Sequence, residues 1–303
     1  MIKVHALPEL RSPVLLCAFN GWSDGSFASS GALSFLLAKW NTQKFAEVDA
    51  ETIYVYTTTR PTSLIVGPGE RTLRWPELAF HALHLPHADR DLVLLLGPEP
   101  DLRWRGCADT VAQFAQRLGA SLVLTLGCFL ATVSHRGPVP LVGLSSDPEL
   151  RRRLERIGAG PTDYQGPTAF TTALVDAAAR AGLRAAGIWA AAPAYLQGGS
   201  NPKIAAALLR AVEALLGVEL GVAELETAGR DLEQRVDEAL GARPDLQQFV
   251  SNLSSGGTTS PTPQTPQENE PEVRELPSPK EFLADMENFL RGLQRKGPDG
   301  GEH

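Results

Sequence analysis

The sequence predicts an α/β protein with a mixed, largely parallel sheet, and three observations carry that prediction. Short, near-continuous apolar runs recur at 13–20, 91–96, 121–126 and 184–192. Each is too short for a buried helix and reads as a strand covered on both faces. Segments with apolar residues at helical spacing separate them, and strands alternating with helices imply parallel crossovers. Between residues 52 and 85, β-branched stretches are broken by tight-turn residues, which reads as hairpin and makes the sheet mixed.

Run 13–20 (PVLLCAFN) ends in Asn20-Gly21 and predicts a buried strand with its exit. Residues 25–40 follow as a helix, with Phe27, Ala28, Gly31, Ala32, Phe35, Leu36 and Trp40 at helical spacing. TIYVY at 52–56 is β-branched and aromatic and predicts a strand. Residues 63–66, 71–75 and 80–85 predict shorter strands, the first two joined by Gly67-Pro68-Gly69. Strand 91–96 precedes a helix over 104–118, with Cys107, Ala108, Val111, Phe114, Ala115 and Leu118 on one face. Strand 121–126 follows, then a short one over 139–144. Asp147-Pro148 joins a capping side chain to a proline at the first helical position, opening a helix through Ile157. Residues 168–181 form an Ala-rich helix with Thr168 as its expected cap, and 184–192 is the last strand. Asn201-Pro202 repeats the cap-then-proline signal for a helix to Leu216, with Ile204, Leu208, Val212 and Leu215 on one face. Residues 222–240 are amphipathic, with Leu225, Leu232, Val236 and Leu240 inward. A final helix is expected over 245–253.

Residues 1–220 are therefore the α/β core domain, and 221–253 a C-terminal helical region of the same domain. Composition changes at Ser254. Residues 254–278 are dominated by Ser, Thr, Pro, Gln, Gly and Glu and cannot bury enough apolar surface to offset the entropy of ordering, so a disordered linker is expected. Residues 279–296 (PKEFLADMENFLRGLQRK) regain a pattern: Phe282, Met286, Phe289, Leu290 and Leu293 share a helical face. Acidic residues lie early and basic ones late, which suits the helix dipole. This is a candidate partner-binding helix, and 297–303 is expected to be a disordered end.

A formal net charge of -7 without a basic stripe excludes a typical nucleic-acid binder. Arg151, Arg152 and Arg153 are flanked by Glu149 and Glu155 and read as a solvated helix face. No apolar run approaches the ~20 residues a bilayer crossing needs. The first ten residues carry no apolar core of a signal peptide. Three cysteines, with no C-x-x-C, argue against a disulfide framework and a zinc site. Cys17 and Cys128 lie in apolar runs, as small core residues do. The expectation is a cytoplasmic protein without membrane, nucleic acid, metal or cofactor.

Three clusters could carry chemistry. Gly21-Trp22-Ser23-Asp24-Gly25 matches G-x-S-x-G between a strand and a helix, the setting of a nucleophile elbow. Its histidine would be His135, with an acid such as Asp109. The competing reading has Gly21 making the turn while Ser23 or Asp24 caps the helix. The same loop, or Gly198-Gly199-Ser200-Asn201-Pro202, could hold an anion at a helix N-terminus. Neither continues into G-K-[ST], and Asp24 puts negative charge where a phosphate would sit. His81, His84 and His87, with Asp89 near, match no standard metal spacing, and a surface strand with its turn explains them.

The block Phe19 to Gly25 (FNGWSDG), the block Ala192 to Lys203 (APAYLQGGSNPK) and the E-L-E…L-E-Q-R-V-D-E-A continuation from Glu224 to Ala239 together resemble the bacterial branch of the proteasome assembly chaperone 2 family. The resemblance covers about residues 1–253. It implies a nucleoside-phosphorylase-like fold, a twisted mixed sheet with helices on both faces. It also implies self-association, with a homotrimer plausible, and an assembly-chaperone or scaffold role toward a protein client. In the family the tryptophan and aspartate around Ser23 recur while the serine position varies. Asn20, Trp22, Asp24, Tyr195, Asn201 and Lys203 are therefore expected to line a shared surface or pocket. Archaeal relatives that engage a proteasome ring are expected to end in a hydrophobic residue, a tyrosine and one more residue. This sequence ends Gly301-Glu302-His303, which lacks that docking signal.

Two classes of function follow. The first is a non-enzymatic, homo-oligomeric interaction or scaffold protein. The alternative is an α/β enzyme acting on a nucleoside, nucleotide or ester: phosphorylase-like, a ligase, or a serine hydrolase using Ser23 and His135.

Overall fold

In the computed structural model, which describes residues 2–196 and 199–241, the four apolar runs lie side by side. They form β2 (Val14–Asn20), β7 (Leu92–Pro98), β8 (Leu122–Ala131) and β11 (Ala185–Pro193). All four run parallel, in the order β7-β2-β8-β11. On one side the sheet continues antiparallel through β6 (Leu78–Leu83), β3 (Thr42–Val48) and β1 (Ile2–Val4). On the other, β9 (Leu141–Leu144) joins β11 antiparallel and β10 (Ala159–Gly160) joins β9 in parallel. The sheet is thus mixed, with its parallel strands at the centre. A separate two-stranded hairpin, β4 (Thr62–Gly67) and β5 (Glu70–Arg74), turns at Pro68-Gly69.

The two faces of the central strands carry different helices, because alternate residues point to opposite sides. Leu16, Leu94, Leu124 and Ile188 pack under α1 (Ala28–Lys39), α3 (Pro148–Arg156) and α5 (Pro202–Leu216). Leu15, Cys17, Leu95 and Val123 pack under α2 (Trp104–Arg117) and α4 (Phe170–Arg180). The amphipathic α6 (Ala223–Gly241) lies against α5. Its Leu225, Leu232, Val236 and Leu240 are half-buried, and its closest approach is at Gly229, where an added Cβ would stand 2.9 Å from Lys203 Cα. All of these elements belong to one compact unit.

Several expectations need correction. Residues 52–56 form no strand. A short 3-10 turn over Ala50–Thr52 leads into a loop whose Ile53 and Tyr54 are buried, with Tyr54 Oη donating to the Pro98 carbonyl at 2.8 Å. Strand propensity reflects fit to a pleated neighbour. Here the place beside β6 belongs to β3, whose polar TQKFAEV sequence had given no strand signal. Strand β8 continues to Ala131, well past residue 126. Thr168 does not cap α4: the Ala169 cap position makes no side-chain bond, and Glu99, from the end of β7, accepts from Phe170 N–H instead. By contrast, Asp147 caps α3 by accepting from Glu149 and Leu150 N–H, and Asn201 caps α5 by accepting from Ile204 N–H. The expected helix over 245–253, the linker and the helix carrying Phe282, Met286, Phe289, Leu290 and Leu293 lie outside the described residues. Among the described residues, no helix is long and apolar enough to cross a membrane.

Candidate functional site

The loop after β2 is set by hydrogen bonding before it is shaped by anything else. Gly21 turns the chain at φ +152, and Glu99 fills the space a side chain there would take. Cys128 N–H donates to the Ser23 carbonyl at 2.7 Å, which ties the loop to β8. Asp24, 6% exposed, then caps α1 from a distance. Its Oδ1 accepts from Ser29 N–H (2.9 Å), Ser29 Oγ (2.7 Å) and Ser30 N–H (3.1 Å). Its Oδ2 accepts from Ser30 Oγ (2.5 Å) and Asn20 Nδ2 (3.2 Å). The N–H groups that could have gripped an anion are occupied by this carboxylate. The capping reading of Asp24 therefore holds, and Asn201 does the same for the second Gly-containing loop.

Ser23 is fully buried, and its Oγ has no hydrogen-bond partner. His135 is engaged elsewhere. Its Nε2 lies 2.8 Å from Asp237 Oδ1 and its Nδ1 2.8 Å from Tyr195 Oη, which also accepts from His135 N–H at 2.7 Å. Both ring nitrogens are thus engaged, one by a carboxylate and one by a phenol. A nucleophile–base pair of Ser23 and His135 is not assembled. Burial alone would push the Asp237 carboxyl up; the bonds from Arg136 and His135 hold it below its ordinary range. Lys203 Nζ donates to the His135 carbonyl (2.6 Å) and pairs with Glu233. His135, Tyr195, Lys203, Asp237 and Glu233 thus clamp α6 onto the strand ends. The cysteines are inert by the same logic of burial: Cys17, Cys107 and Cys128 are all buried, and the Cys107 thiol is pushed up to about 12. His84 faces Asp91 (3.3 Å), a carboxylate already held by Arg11. Among the described residues no group of three His, Cys, Asp or Glu could hold a metal.

What the strand ends do create is a cleft of about 500 Å³. Trp22 and Phe27 stand at its rim, half exposed, the buried Phe129 and Trp189 form its floor, and Tyr164 also lines it. Thr162, Thr168 and Thr172 add hydroxyls, and among the described residues Asp24 is the one charged residue lining it. The floor depends on Gly127, since a Cβ there would meet the Trp189 ring at 2.6 Å. The rim depends on strain: Ser26 (φ 54, ψ 28) and Phe27 (φ 47, ψ 34) are both left-handed, a costly state for a bulky residue. Asn201 N–H donates to the Ser26 carbonyl and Ser26 Oγ to the Leu196 carbonyl, so the two predicted loops meet at Ser26. They line different concavities, however. Trp22 and Asp24 face the cleft, Asn201 and Lys203 face a tight crevice beneath α6, Tyr195 bonds into its wall, and Asn20 supports Asp24 from behind. Phe129, Tyr164, Trp189 and Glu99 carried no local sequence motif. Burial raises the Glu99 carboxyl, against the opposing pull of Phe170 and Trp22 N–H.

The fold and site define a layered α/β protein with an open, aromatic-walled cleft at the carboxyl ends of its parallel strands, the place where open α/β sheets bind. The chain belongs to the PAC2 family, whose family model matches residues 18–240. A PAC2 family protein from Streptomyces avermitilis is 37% identical with a TM-score of 0.70, over 75% of this chain and 95% of that one. A Mycobacterium tuberculosis proteasome-assembly chaperone homologue is 34% identical with a TM-score of 0.71, over 78% of this chain and 99% of that one. A second M. tuberculosis protein, of unknown function, is 27% identical with a TM-score of 0.77, over 84% of this chain and 90% of that one. Among curated proteins none matches.

Proposed function

We propose that this protein is a chaperone-like interaction protein, non-enzymatic and homo-oligomeric, that acts in the cytoplasm on a protein partner of the proteasome-subunit kind. The observation that carries the reading is the likeness to the proteasome-assembly chaperone homologue over 99% of that chain. The site chemistry supports it: Ser23 lacks a base, and the open cleft presents Trp22 and Phe27 as half-exposed aromatics, residues favoured as anchors at protein interfaces. The cleft rim is then the contact surface for the partner. The segment 279–296, with Phe282 and Phe289, is proposed as a second contact.

The test mixes purified proteasome α- and β-subunits with the full chain and follows assembly by native gel. The chain is expected to travel with incomplete subunit assemblies, and the double variant Trp22→Ala, Phe27→Ala to lose that association. A version ending at Leu253 should bind more weakly. Unchanged assembly and no co-migration would sink the proposal. The enzyme alternative is tested separately: a fluorophosphonate probe should leave Ser23 unlabelled. Nucleotides should give no rise in melting temperature, since among the described residues no Lys, Arg or His lines the cleft.

A further inference from the structure

The β4–β5 hairpin stands apart from the main sheet and leaves its apolar side chains in water. Ile65 is 71% exposed, Val66 61% and Leu73 54%, and every residue of β5 is exposed. An isolated two-stranded hairpin is marginal in water, because a sheet gains its stability from further strands or from a covered face. Both outer edges of this hairpin are unpaired among the described residues. Such edges are templates for another strand.

The charges on β5 say which strand. Its sequence is Glu70-Arg71-Thr72-Leu73-Arg74, and none of the three charged side chains makes a hydrogen bond or ion pair among the described residues. Placed antiparallel against itself about a two-fold axis through Thr72, the strand sets Glu70 opposite Arg74 twice, Arg71 opposite Leu73 twice, and Thr72 opposite Thr72. Directly opposite residues are the stabilising unit of a sheet, favourable for unlike charges and unfavourable for like ones. A shift of one residue in one direction sets Glu70 against Leu73, and in the other sets Arg71 against Arg74. All three registers are isologous, because residue i opposite j implies j opposite i, but the centred one alone sets unlike charges opposite each other. Strand β4 has no charge to specify any register. Pro76, without an N–H, ends the pairing stretch just beyond Trp75.

We propose that β5 is a self-association strand: two copies of the chain pair β5 to β5 about Thr72, making a four-stranded sheet between protomers. In that sheet Leu73 of each copy lies diagonal to Leu73 of the other, on the face that also carries Ile65. The inference rests on the homo-oligomeric reading above and names its surface.

The test is a charge exchange read by sedimentation of the full chain over a concentration series. The wild type should dimerise. Glu70→Arg alone and Arg74→Glu alone should each weaken dimerisation about tenfold or more, because two attractive pairs become two repulsive ones. An equimolar mixture of the two single variants, and the double variant Glu70→Arg, Arg74→Glu, should both recover it. Thr72→Cys adds a readout independent of affinity. The native cysteines are buried, so mild oxidation should link two copies at position 72, while Leu64→Cys, away from the axis, should link far more slowly. A monomeric wild type would overturn both the pairing and the homo-oligomeric reading. Oligomers that persist unchanged in both single variants, or single variants that the mixture does not rescue, would overturn the pairing and leave self-association standing.

Discussion

Asp24 and Asp91 show how much of this molecule is organised by single buried carboxylates. Asp24 holds five donors from Asn20, Ser29 and Ser30. Asp24→Ala should lower stability by about 1–3 kcal/mol, the cost of orphaned buried donors plus a lost cap, as read by urea denaturation at neutral pH. Ser23→Ala, which removes a hydroxyl without a partner, should cost little or even stabilise. Asp91 is fully buried. Burial by itself would raise its carboxyl, but the Arg11 side chain, Arg11 and Leu85 N–H and His84 together hold it well below the carboxylate range. Since its folded value is depressed, the stability it contributes is fully present above the unfolded value of about 3.9. It is lost as pH falls through the folded value. Stability of the wild type attributable to this group should therefore hold from pH 7 to about pH 4 and fall only in stronger acid. Arg11→Ala should lower the neutral-pH stability by about 1–3 kcal/mol and, because the Asp91 carboxyl is then less depressed, shrink the further loss seen on acidification below about pH 4, measured by denaturant titrations across pH. A wild type and variant with the same acid profile would refute the assignment.

At the level of elements, caps and periodicity were legible because they are local. Asp147-Pro148 and Asn201-Pro202 start α3 and α5 where the dipeptides stand, and five of the six one-face residues of 104–118 lie on the buried side of α2, Leu118 being its half-buried C-cap. The failures were non-local. TIYVY had strand-forming residues but no free neighbour, and TQKFAEV had a free neighbour but polar residues, so the sheet took the second. Thr168 lost the α4 cap to Glu99, some seventy positions away in sequence. Helix α6 is fixed by one glycine as much as by its apolar stripe. Gly229→Ala should cost about 1–3 kcal/mol by overpacking against Lys203, with faster hydrogen exchange confined to α6. Gly241→Ala, at a position with open space, should leave both unchanged.

Over the whole molecule, burial makes the thiols reporters of global unfolding. Cys17, Cys107 and Cys128 lie in the two layers of core on either side of the central strands. A thiol reagent should find none of the three in the native protein and all three in denaturant, at the rate of unfolding; a fast native reaction would contradict the layered core. The same layering accounts for the site. Four parallel strands end on one side, so the loops that follow them converge there, and the cleft forms between the loop after β2 and the far half of β8.

The sequence by itself determined the α/β class, the four central strands, the placement of most helices and the two loops that meet at Ser26. These follow from period, turn residues and caps, which act within a few positions of the chain. Only the tertiary structure decided which strand sits beside β6, that Glu99 caps α4 and that His135 faces Tyr195 and Asp237. It also decided that Trp22 and Asn201 line separate concavities. Those outcomes turn on which distant groups compete for one buried donor or one open edge, and that competition is settled by packing in three dimensions.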